Sequence, residues 1–142
     1  MLGIGHVHLK VSNLKRAEDF YKKLGFKVRE RFGNYIFMTL GKKHHDLALQ
    51  EIPNAEIPDE NSTGLYHFAI EIKDLKELAT VYFNLRKQNI NISAIDHGIS
   101  KALYLSDPDG NRIEIYLDTR HLRKKWGGFS KLIKVDELKK FR

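Results

Sequence analysis

The sequence predicts an α+β fold in which two tandem βαβββ modules form a cupped, barrel-like mixed sheet with helices outside. Three observations lead to it. The chain matches itself at an offset of 61 residues, from His6 to His67. Each copy opens with period-two alternation and continues with helical periodicity. Turn signals at Gly33-Asn34, Gly41-Lys42 and Asp107-Pro108-Asp109-Gly110 cut the remainder into short strands.

The self-match joins His6-Val7-His8-Leu9-Lys10-Val11-Ser12-Asn13-Leu14 to His67-Phe68-Ala69-Ile70-Glu71-Ile72-Lys73-Asp74-Leu75. Farther on, Tyr21 meets Tyr82 and Leu24 meets Leu85. An offset this long is no solenoid period and reads as one supersecondary unit used twice. In the first strand, residues 4–11, Val7, Leu9 and Val11 share a face opposite His6, His8 and Lys10. In its counterpart, residues 65–72, Phe68, Ile70 and Ile72 oppose His67, Ala69 and Glu71.

Asn13 and Asp74 stand at helix N-cap positions, where a short polar side chain accepts from exposed backbone N–H groups. Helices follow at about 14–24 and 75–88, with stripes of Leu14, Ala17, Tyr21 and Leu24, and of Leu75, Leu78, Tyr82 and Leu85. Gly25 suits the position after the first helix, where a left-handed residue closes the last turn. Strands then fall at about 26–31, 35–40 and 46–51 in the first copy, and at about 91–95, 101–106 and 111–117 in the second. The polar, proline-bearing stretch Pro53–Gly64 is the linker. Residues 1–118 are expected to form a single domain, with modules at about 1–52 and 65–118, followed by a basic extension over 119–142.

Composition narrows the chemistry. At 42% hydrophobic residues the chain is globular rather than disordered. With no cysteine, disulfides, thiolate metal sites and thiol catalysis are excluded. No apolar run is long enough to span a membrane as a helix. The opening MLGIGHVHLK lacks the pattern of a secretory leader, so a cytoplasmic location is expected. The net charge of +7 is concentrated in the tail, where Arg120–Arg142 holds nine basic residues and two acids. A tail of this kind reads as a solvated surface, and nucleic acid is not expected as a partner.

Strand parity locates the polar residues of interest. The apolar faces of the opening strands receive the helices, so the histidines face the other way, into the concavity. In the last strand Ile113, Ile115 and Leu117 oppose Arg112, Glu114 and Tyr116. In the strand before it, Leu103 and Leu105 oppose Ala102, Tyr104 and Ser106. His6, His8, His67, Tyr104 and Glu114 can then line one cavity if the two modules curl together. Two histidines in equivalent repeat positions and a carboxylate make a facial set, which leaves coordination positions open. His6, His67 and Glu114 are that set. His8 has no counterpart, since Ala69 takes its place, and reads as a pocket residue.

GHVHLKVSNLKRAEDFYKKLGF, YHFAIEIKDL and SDPDGNRIEIY together resemble the glyoxalase/bleomycin-resistance/dioxygenase superfamily, the vicinal oxygen chelate proteins, over residues 4 to about 118. The resemblance assigns the metal to His6, His67 and Glu114, the residues chosen by parity. Within the superfamily, HHDLALQ and DHGISKALYLSDPDGNRIEIY resemble type I extradiol ring-cleaving dioxygenases. That likeness implies His45 as the acid–base residue, His97 and Tyr104 beside the substrate, and His44 as a bystander. It further implies a non-haem Fe(II) oxidoreductase, with Mn(II) or another divalent ion as substitute, acting on a catechol-type aromatic diol and O₂. A homodimer is expected from the exposed edges of a cupped sheet. The alternatives are a glyoxalase-type lyase or isomerase and an aromatic antibiotic-binding resistance protein. The former takes a fourth carboxylate ligand where Gln50 stands; the latter often lacks the metal residues present here.

Overall fold

The computed structural model describes residues 1–142, which divide into two compact units. The first holds Met1–Gly64 with Asp107–Gly110; the second holds Leu65–Ser106 with Asn111–Arg142.

The first unit runs β1 (Val7–Val11), α1 (Leu14–Lys23), β2 (Lys27–Phe32), β3 (Tyr35–Thr39) and β4 (Leu47–Glu51). Its sheet has the order β1-β4-β3-β2, with β1 parallel to β4 and the other pairings antiparallel. Leu9 and Val11 are buried while His8 and Lys10 are exposed, which is the expected alternation. Asn13 caps α1 by accepting from the Arg16 N–H at 2.9 Å. Gly25 follows the helix at φ +99°, a left-handed conformation that costs glycine little. Ala17, Phe20 and Tyr21 bury the inner face of α1 against β3 and β4, with Met38, Leu47 and Leu49 beneath.

The second unit runs β5 (Phe68–Ile72), α2 (Leu75–Lys87), β6 (Ser93–Asp96), β7 (Ser100–Ser106), β8 (Arg112–Asp118), β9 (Lys131–Leu132) and α3 (Val135–Lys139). The sheet order is β5-β8-β7-β6-β9, with β5 parallel to β8 and the rest antiparallel. Asp74 caps α2 through the Glu77 N–H at 2.8 Å. Leu78 and Leu85 on α2, Leu103 on β7 and Ile113 on β8 lie in its core. The class is therefore mixed α+β, with the four-stranded sheet in one unit and the five-stranded sheet in the other. No helix is long and apolar enough to cross a membrane.

The elements depart from expectation at three places. β1 and β5 begin at Val7 and Phe68, later than the alternation suggested. Their ladders begin at the pairs Val7–Leu47 and Phe68–Ile113, and Leu2, Ile4, Leu65 and Tyr66 are exposed, so nothing draws the ladders farther. β6 starts at Ser93 because Asn89, at φ +61°, and a bond from the Ile90 N–H to the Leu85 carbonyl prolong the exit from α2. The extension also carries structure. Lys131 and Leu132 pair with Asp96 and Ile95, and Ile133 and Leu138 are buried.

Candidate metal and substrate site

In the second unit, β8 lies between β5 and β7, and its register sets the site. Glu114 stands opposite Ala69 on one side and Tyr104 on the other. His67 is two residues before Ala69, so strand parity gives it the face that Glu114 occupies. Its Nε2 lies 2.9 Å from a Glu114 carboxylate oxygen, with both side chains largely screened from water. The Tyr104 ring stands 6.1 Å from that of His67. Burial, followed by the negative charge of Glu114, pushes the Tyr104 hydroxyl up to about 12. The same hydroxyl meets His97 Nε2 at 2.8 Å. His67, Glu114, Tyr104 and His97 thus form one connected chain of polar side chains.

The first unit places His6 just before β1 and His45 just before β4, and the pairing of these strands brings the rings together at 4.4 Å. Lys43 reinforces this by donating to the carbonyls of Ile4 and Gly5. His45 also packs edgewise on Phe37 at 5.0 Å. Burial, then the neighbouring His6 and His44, lowers its pKa below the ordinary imidazole value.

His44 makes two polar contacts. Its Nδ1 lies 3.0 Å from His45 Nδ1, and its Nε2 lies 2.9 Å from a Glu30 carboxylate oxygen. A carboxylate can only accept, so a neutral His44 carries its proton on Nε2 and accepts at Nδ1. His45 must then donate from Nδ1, which leaves Nε2 as its basic nitrogen. Sequence alone offered no signal for these contacts, because Glu30 is 14 residues away on another strand. His8 bonds through Nε2 to the Gln50 carboxamide oxygen at 3.0 Å, which occupies the side chain that would stand for a fourth carboxylate ligand.

The expected metal set is divided between the units, with His67 and Glu114 in one and His6 in the other. No group of three or more His, Asp or Glu is gathered closely enough to hold an ion. The chemistry of the pair nevertheless fits a divalent cation. One imidazole nitrogen and one carboxylate oxygen, converging from neighbouring strands, are donors suited to iron or manganese.

Residues 3–115 match the family described as Glyoxalase/Bleomycin resistance protein/Dioxygenase superfamily. A catechol-2,3-dioxygenase of Bacillus subtilis is 43% identical over 117 residues, covering 81% of this chain and 41% of its own length. A biphenyl-2,3-diol 1,2-dioxygenase of Rhodococcus globerulus is 32% identical, covering 80% of this chain and 61% of its own length. The chain thus spans about half the length of these curated relatives. In fold it is similar to a glyoxylase/bleomycin resistance protein/dioxygenase domain from Frankia, with a TM-score of 0.71, 20% identity, and coverage of 88% of this chain and 99% of that one.

Proposed function

Because the chain belongs to the Glyoxalase/Bleomycin resistance protein/Dioxygenase superfamily, we propose that it is an extradiol ring-cleaving dioxygenase acting on a catechol-type diol and O₂. One observation carries the reading: His67 and Glu114 converge at 2.9 Å within a polar chain that continues through Tyr104 to His97. The likeness to catechol- and biphenyl-diol dioxygenases gives the substrate class.

In this reading His67 and Glu114 would hold the metal, Fe(II) with Mn(II) the nearest substitute, and His6 is the third ligand proposed from the repeat and the family resemblance. When bound, such an ion supplies open positions for a diol and O₂ and couples their redox change without an external reductant. His45 does the proton work. Its lowered pKa keeps it neutral near pH 7, and Nε2 takes a proton from a diol hydroxyl and later returns it. Glu30 and His44 hold it in that tautomer. Tyr104 and His97 orient the diol and offset the charge that develops on its oxygens. Gln50, bonded to His8, disfavours a glyoxalase-type site with a fourth carboxylate.

Equilibrium dialysis against Fe(II) under anaerobic conditions tests the ligand set. The parent is expected to bind one ion per chain, and the His6→Ala, His67→Ala and Glu114→Ala variants to lose it. Full occupancy in Glu114→Ala would overturn the assignment.

A further inference from the structure

We propose that the extension after β8 is a positioning device for the site: residues Thr119–Phe129 fix the tautomer of His97 and thereby direct the proton of Tyr104. The inference rests on the function proposed above and adds to it a task for a segment that reads as a solvated tail.

Four contacts bind this segment to the β6–β7 turn that carries His97. Thr119, which is buried, donates from Oγ1 to the Gly98 carbonyl at 2.7 Å, and its N–H donates to the Ile99 carbonyl at 2.8 Å. Arg123 lies across Gly98 so closely that a Cβ there would fall 2.2 Å from its Cδ, so this approach requires glycine. Gly98 also has φ +78°, a second reason for the residue. Farther on, the Phe129 carbonyl lies 3.3 Å from His97 Nδ1.

The loop is shaped to present that carbonyl. The indole of Trp126, the chain's one tryptophan, donates to it from Nε1 at 2.8 Å. Arg123 donates to the Lys125 carbonyl at 2.9 Å and places its guanidinium over the Phe129 ring at 4.7 Å. The Trp126 ring stands 6.4 Å from that of His97.

A carbonyl oxygen only accepts, so His97 must carry a proton on Nδ1 to bond it. In the neutral ring Nε2 is then unprotonated and accepts from the Tyr104 hydroxyl 2.8 Å away. Tyr104 has a single proton and two acceptors beside it, His97 Nε2 and the Glu114 carboxylate. The tail settles the competition in favour of His97. Glu114 keeps its oxygens for coordination, and the Tyr104 oxygen offers lone pairs to a diol hydroxyl.

Long-range ¹H–¹⁵N correlation spectra of the metal-free protein, labelled with ¹⁵N in its histidines and leucines, read the tautomer directly. The parent is expected to show His97 as the Nδ1–H form. Arg123→Ala/Trp126→Phe releases the carbonyl and keeps an aromatic ring, and is expected to give a mixture with the Nε2–H form. Lys124→Ala, which lowers the tail charge without touching the loop bonds, is expected to match the parent. With iron content equalised, catechol turnover by the double variant should fall about 3- to 10-fold in kcat with KM little changed, the loss of one oriented hydrogen bond. An Nε2–H parent, or an Nδ1–H signal unchanged in the double variant, would overturn the proposal. If the double variant fails to fold, Trp126→Phe alone, with the Leu132 and Leu138 amide signals as fold control, gives the same reading on a smaller scale. An iron-loaded parent that leaves catechol intact rejects the dioxygenase reading and leaves the tautomer result standing.

Discussion

In the proposed mechanism His45 acquires its task from its neighbours. Ring contact with His6, burial, and the bond to His44 together leave a neutral imidazole with its basic nitrogen at Nε2. His45→Gln is expected to retain iron while O₂ uptake with catechol falls by roughly 10²–10⁴, the usual worth of a positioned acid–base group. His44→Gln is expected to fall roughly tenfold, because it removes the ring that fixes the tautomer and leaves the base in place. Equal turnover by His44→Gln and the parent, measured at matched iron content, would remove Glu30 and His44 from the mechanism. At this scale the sequence was informative about identity and poor about contact. Repeat and parity single out His6, His67 and Glu114 as candidate ligands, and resemblance adds His45, His97 and Tyr104 as candidate catalytic residues. The bond from His44 to Glu30 and the contacts of Trp126 depend on bringing distant segments together, which no local pattern encodes.

At the scale of elements, helix α1 carries the clearest energetic signature. Glu18 is buried on it yet charged, because Arg31 on β2 holds both its oxygens at 2.5 and 2.7 Å and Lys22 reaches it from the next turn. The bonds from Arg31 hold its carboxyl down at about 2 against the opposing cost of burial. A folded pKa lowered in this way stabilises the protein fully above the ordinary value of about 4.5, and the contribution is lost as pH falls from there toward the folded value. Glu18→Gln is therefore expected to lower stability by about 1–2 kcal/mol at pH 7, discounted because Arg31 and Lys22 are half exposed. Urea midpoints taken from pH 7 to pH 3 should converge for variant and parent; parallel curves would refute the coupling. The helices were readable to within a residue or so because caps and stripes are local. β9 and α3 were not, since a two-residue strand has no period and its apolar residues are scattered among lysines.

On the scale of the whole molecule, the repeat at an offset of 61 residues was the most informative feature of the sequence, and each unit carries one βαβββ copy. β1 and β2 end one sheet and β5 and β9 the other, and natural proteins pair or cover such edges. A homodimer is the expected assembly, and a monomer in sedimentation at high micromolar concentration would contradict it. The measurement that bears most directly on the account is O₂ consumption by the chain loaded anaerobically with Fe(II) and then given catechol in air. An extradiol dioxygenase takes up one O₂ per catechol and gives a yellow ring-opened product, and both are expected to be lost in Glu114→Ala. A chain that binds one iron and leaves both catechol and O₂ unconsumed would contradict the account.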